Sequence, residues 1–149
     1  MQLLQVCNVG DICGGTAACA WSITRSLPEV RHAVLFLSPP TPDTRTAFAD
    51  CHIAAVEHVS QAIIAPFDPD VVLLHNTPRS RADPLAVPLL VQYLHSRITP
   101  APADVTVACS AWLRSQYPPE AVDGGLYQPT VAVGEATKAP FRDSPSLGA

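Results

Sequence analysis

The sequence predicts an α/β protein: a Rossmann-like, mostly parallel sheet with helices on both faces. Its apolar segments are short and continuous, as in strands buried on both faces. They alternate with stretches of helical periodicity, the arrangement that joins parallel strands by crossovers. Nearly every apolar segment also ends in polar residues, where the carboxyl ends of such a sheet meet a ligand crevice.

The first segment is the most informative. Leu3 to Trp21, LLQVCNVGDICGGTAACAW, reads as strand, anion-binding loop and helix. The helix runs from Thr16 to Leu27, with Ala20, Ile23, Thr24 and Leu27 at helical spacing and Pro28 closing it. His32 to Ser38 is a second strand, and the following PPTPDTRT reads as a proline-rich surface loop. Ile53 to Val56 gives a short third strand and His58 to Ala65 a helical stretch.

Asp70 to His75, DVVLLH, is a fourth strand introduced by Pro66 and Pro69, and Leu89 to Leu94 is a fifth. Pro84 and Pro88 make the link between them irregular or a very short helix. Val105 to Cys109 is the sixth, followed by a helical segment from Ala111 to Tyr117. Residues 1–133 are thus expected to form one domain and 134–149, poor in large apolar residues, a linker or disordered tail.

Composition limits the partners. The net charge is -4, Lys138 is the single lysine and the arginines are scattered, so the basic stripe that nucleic acid requires is missing. No segment approaches the roughly 20 apolar residues of a membrane span, and the amino terminus has no signal-type pattern. A cytoplasmic location is expected. The five cysteines are odd in number and contain no C-x-x-C pair, which favours reduced, mostly buried thiols over a disulfide framework or a zinc site.

The glycine loop excludes two nucleotide fingerprints. Gly10, Gly14 and Gly15 do not have G-x-G-x-x-G spacing and the second strand ends at Ser38 rather than an acid, so nicotinamide binding is disfavoured. No lysine precedes Thr16, so a P-loop is also unsupported. Gly14, Gly15 and Thr16, at the head of the helix, remain candidates for backbone recognition of phosphate; the alternative is that the glycines merely turn the chain.

The other residues that follow the apolar runs are Ser38, His75 with Asn76 and Thr77, His95 with Ser96, and Ser110. In a parallel sheet they converge on the rim that carries the glycine loop, giving a pocket with phosphate donors, hydroxyls and two imidazoles. His95 is the candidate catalytic residue, because a neutral imidazole can hydrogen-bond a hydroxyl or take a proton near neutral pH. Trp21 and Trp112 are expected to be packing anchors.

Taken in series, LLQVCNVGDICGGTAACAWSITRSLP, PDVVLLHNTP, VQYLHS and VTVACSAWLRSQY resemble the amino-terminal half of retaining nucleotide-sugar glycosyltransferases with two Rossmann-like domains (glycosyltransferase family 4-like). The resemblance covers about Met1 to Val133. It implies an acceptor-side domain that closes over a nucleotide-sugar donor, with Gly14 and Gly15 near the donor diphosphate and His95 beside the transferred sugar. Ser110 would head the helix after the sixth strand, and the loop from Arg79 to Asp83, with Arg79 and Arg81, would contact the hydroxyl acceptor. No metal or cofactor is implied. The resemblance also implies a second, donor-binding domain from a partner chain or a longer protein, and little activity without it. The alternative is a stand-alone α/β module that binds a phosphate ligand or another protein.

Overall fold

The computed structural model describes residues 1–125. In chain order the elements are β1 (Gln2–Cys7), α1 (Gly15–Ser26), β2 (Arg31–Phe36), α2 (Pro42–Ala47), β3 (His52–Ala55) and α3 (Gln61–Ile64). They continue with β4 (Val71–His75), β5 (Leu89–Leu94), β6 (Val105–Ala108), α4 (Ala111–Arg114) and β7 (Gly124–Gly125). The sheet order is β3-β2-β1-β4-β5-β6-β7, and every neighbouring pair is parallel. The expected Rossmann-like α/β architecture is therefore present.

Side-chain alternation along β1 divides the core. Leu4 and Val6 pack with Leu35, Val72, Leu74 and Ile64 of α3 on one face. On the other face Cys7 packs with Ala17 and Ala20 of α1, Phe36 and Phe48, while Leu3 packs with Cys19, Leu73 and Tyr93. Because strand side chains point alternately to the two faces, β1, β2, β4 and β5 are buried on both, which is why their sequences read as largely apolar runs.

The two faces are covered unequally. α1 and α2 shield one side, and Trp21 links them by donating its indole N–H to the carbonyl of Ala47 at 3.1 Å. On the opposite face α3 is a single turn, and much of the cover comes from irregular chain contributing Ala82, Leu85, Val87, Ala101 and Ala103. Pro84, Pro88, Pro100 and Pro102 explain this, since a helix there would lose backbone donors and clash with the rings. Only a 3-10 turn at Arg79–Arg81 interrupts the β4–β5 link.

Several boundaries differ from the sequence expectation. The PPTPDTRT segment contains α2: Thr41 accepts from the Thr44 amide as N-cap and Pro42 occupies the first turn, where its missing N–H costs nothing. The expected helix from Ala111 to Tyr117 stops at Arg114, and the helical stretch after His58 shortens to α3 with a 3-10 turn at Ala65–Phe67. Gly124–Gly125 adds a seventh strand beside β6. Trp112 is 70% exposed and anchors no core, contrary to expectation, because it faces outward on the short α4. The expected domain end at Val133 and the 134–149 tail lie outside the described residues.

None of the five cysteines forms a disulfide; Cys7 and Cys19 are buried and Cys13 is exposed. Among the described residues, no helix is long and apolar enough to cross a membrane.

Candidate functional site

The strand order reverses between β1 and β4: β2 and β3 lie to one side of β1, and β4 to β7 to the other. A crevice at the carboxyl ends of β1 and β4 is where doubly wound sheets bind ligands. The loop leaving β1 lies at these carboxyl ends, and α1 starts there.

That loop is held by its backbone. The Gly10 amide donates to Ser38 Oγ at 2.8 Å, while the Gly10 carbonyl accepts from Thr44 Oγ1 at 2.8 Å and from the Thr41 amide at 2.9 Å. The Ile12 amide donates to Thr44 Oγ1 at 2.8 Å, so the middle of the loop is fastened to α2 through Gly10 and Ile12. Gly14 is the N-cap of α1, with an extended backbone, no side-chain cap and no acidic residue in the first helical turn. A Cβ on Gly15 would meet nothing within 4 Å. The helix start has no capping side chain and is exposed at Gly15, although Thr16 and Ala17 behind it are buried; an uncapped helix start of this kind suits an anion. Thr16 contributes differently, since its hydroxyl is bonded to Asn8 Oδ1 at 2.9 Å. Asp11 is the loop's acid; its carboxylate accepts from the Cys13 amide at 2.9 Å and opposes an incoming anion.

Below this helix start runs a buried polar chain that crosses from β1 to β5. Gln5, fully buried, donates its Nε2 to the carbonyl of Ala20 in α1 at 3.2 Å, which turns Oε1 toward His75 Nε2 at 2.9 Å. His75 Nε2 must therefore carry the proton, leaving the Nδ1 lone pair directed at His95 Nε2, 3.2 Å away. His95 then donates from Nε2 and keeps a lone pair on Nδ1. The imidazole centroids are 5.4 Å apart, and the ring of Tyr93 lies 4.4 Å from that of His95.

Burial fixes the charge state of this chain. It lowers the His75 pKa to about 3, with His95 adding to the shift, and it lowers His95 to about 4. At neutral pH both rings are uncharged hydrogen-bonding groups, and His95 is too weak a base to hold a proton there. Burial, with smaller contributions from Cys19 and Cys109, raises Tyr93 to about 12, so its phenol is also neutral.

The expected rim residues divide by what they touch. Asn76 clamps the ends of β4 and β5: its Oδ1 accepts from the amides of His95 at 3.1 Å and Ser96 at 3.0 Å, and its Nδ2 donates to Ser96 Oγ at 2.8 Å. Its φ of 54° is in the left-handed region, where asparagine is tolerated better than most residues. Asn76→Ala is expected to cost about 2–3 kcal/mol through lost bonds and strain, and Asn76→Gly less because strain is relieved. Urea unfolding of the two variants separates the terms; equal losses would remove strain from the account.

Ser110 caps α4 by accepting from the Leu113 amide at 3.1 Å. The Arg81 guanidinium donates to the carbonyls of Leu37, at 2.7 Å, and Glu57, tying the β4–β5 link to the ends of β2 and β3. Arg79 lines a cleft of about 600 Å³ with Pro78, Ser80, Ile98 and Thr99. The structure thus joins His75 to His95 and Asn76 to Ser96 at the switch point, while Ser110 and Arg81 serve neighbouring parts of the scaffold. Gln5, absent from the expected site, holds His75 from within the core, and Cys19 of α1, also absent from it, has its sulfur within 4.8 Å of a ring nitrogen of His75 and of His95. The signal for Gln5 was a polar residue inside the apolar run LLQVC, since a buried polar group is the informative exception in a core.

No family model, curated protein or solved structure matches the chain.

Proposed function

We propose that this chain is the amino-terminal, acceptor-side half of a retaining glycosyltransferase that uses a nucleotide-diphosphate sugar. The observation that carries the reading is the uncapped start of α1 opening beside the His75–His95 pair at the switch point. The diphosphate would accept from the first-turn amides of α1, which stabilise the charge that grows on the leaving phosphate. The anomeric carbon–oxygen bond to the diphosphate breaks as a bond to the acceptor oxygen forms, and the acceptor's proton departs with the diphosphate. His95, neutral and with its Nδ1 lone pair unspent in the relay, would accept a hydrogen bond from a sugar hydroxyl.

The loop between β1 and α1 has no basic side chain, and Asp11 opposes the phosphate. Affinity from this half alone is therefore expected to be weak, with the remaining donor contacts coming from a second domain. The test is an amide NMR titration with uridine and guanosine diphosphates, following Gly15, Thr16 and Ala17. Saturable shifts at these amides, lost in Gly15→Val, are expected; the valine enters open space, so the fold tolerates it. No shifts, or shifts unchanged in the variant, would overturn phosphate recognition by this loop and favour the interaction-module reading.

A further inference from the structure

We propose that Cys19, His75 and His95 form a binding site for a thiophilic transition-metal ion, Zn²⁺ or Cu⁺. One ligand atom from each residue lies within 4.8 Å of the other two. The three come from α1, β4 and the end of β5, so the tertiary fold assembles the set. This inference does not rest on the glycosyltransferase reading, and with the ion bound His95 Nδ1 carries the proton and no longer accepts a hydrogen bond.

The donor arrangement fits such an ion closely. Metal–nitrogen and metal–sulfur bonds of about 2.0–2.3 Å place the donors of a tetrahedral site roughly 3.3–3.6 Å apart. His75 Nδ1 and His95 Nε2 are already 3.2 Å apart. The thiol has at most about 1 Å to close. Two imidazoles and a thiolate suit zinc or copper, whereas magnesium and calcium prefer oxygen donors.

The support behind His75 is what metal-bound histidines usually have. Its other ring nitrogen donates to Gln5 Oε1, and Gln5 is fixed in turn by the Ala20 carbonyl. This fixes the tautomer and aims Nδ1 into the cluster. Cys19 is 5% exposed and His95 half-buried, so His95 is the more accessible ligand of the two. On binding, the Cys19 thiol loses its proton to solvent. His95 shifts its proton from Nε2 to Nδ1 through solvent, freeing the Nε2 lone pair, so one proton is released per ion. Three protein ligands leave a fourth position for water or a substrate group.

Cobalt(II) and zinc titrations of the full chain under reducing conditions test the site. Expected are one equivalent of Co²⁺ with a thiolate charge-transfer band, displacement by Zn²⁺ and release of about one proton. The band should vanish in Cys19→Ala and persist in Cys13→Ser, whose cysteine is exposed. Gln5→Leu should weaken binding by about 10–100-fold, as loss of a supporting hydrogen bond does. His95→Gln, at a half-buried position, provides a second ligand variant should Cys19→Ala fold poorly, and it too should lose the band. Absence of metal binding by the wild-type chain, a band that survives Cys19→Ala or His95→Gln, or one that depends on Cys13 would overturn the proposal.

Discussion

Gly10→Ala is expected to destabilise the protein by about 3 kcal/mol or more, while Gly15→Ala changes stability by less than about 1 kcal/mol. A Cβ on Gly10 would lie 2.5 Å from the Pro39 carbonyl oxygen and 2.6 Å from that of Ser38. Both obstacles are backbone, so the loops must separate. Separation strains the bonds from the Gly10 amide to Ser38 Oγ and from Thr44 Oγ1 and the Thr41 amide to the Gly10 carbonyl, each worth about 1 kcal/mol. At Gly15 the added methyl enters open space in the first turn of α1, where alanine also restricts the unfolded chain. Urea unfolding of both variants reads the contrast, and comparable losses would contradict this packing of the β1–α1 loop against the β2–α2 loop. The same Gly10 variant should also weaken any anion binding at α1, because the loop that places the helix start would have moved.

The glycines show where sequence reading succeeds and where it stops. The G-G pair correctly located the start of α1, since glycine after an apolar strand and before a periodic segment is a local signal. The glycine under the tightest steric demand is Gly10, and that demand comes from Ser38 and Pro39, 28 and 29 residues away in the chain, so no local pattern reports it. The central strands are legible for a similar reason: β1, β2, β4 and β5 are buried on both faces, and continuous apolar runs such as VVLLH record that directly. α2 was hidden because Pro39, Pro40 and Pro42 resemble a loop until Thr41 is recognised as an N-cap and Pro42 as a first-turn residue. Within the site, His75 and His95 were found by their positions at strand ends. Cys19 carries no such local signal, because the cluster combines one thiol with imidazoles from two distant strands. Gln5 sits inside an apolar run, although its two hydrogen bonds determine which nitrogen His75 presents.

The metal-free protein is expected to lose stability as pH falls from about 6.5 toward 4, by a few kcal/mol in total. His75 and His95 titrate at about 3 and about 4 in the folded chain, against an ordinary value of 6.5. Above 6.5 both states carry neutral rings and these histidines add no pH dependence. Below it the unfolded chain takes up protons that the folded chain refuses, so stability falls with decreasing pH. The decline from these rings levels off once pH passes the folded values, where the native state is protonated too. The refusal has a structural cause: His75 is wholly buried, its Nε2 proton is committed to Gln5, and a charge on its Nδ1 would face His95. Equilibrium unfolding between pH 7 and 4 in the presence of a chelator measures the effect. His95→Gln should flatten the curve, both by removing one titrating ring and by relieving the second cause of the His75 shift. A wild-type curve without a decline in this window, or an equal decline in the variant, would mean that water reaches the imidazole pair and that the relay from Gln5 to His95 is open to proton exchange in the folded state.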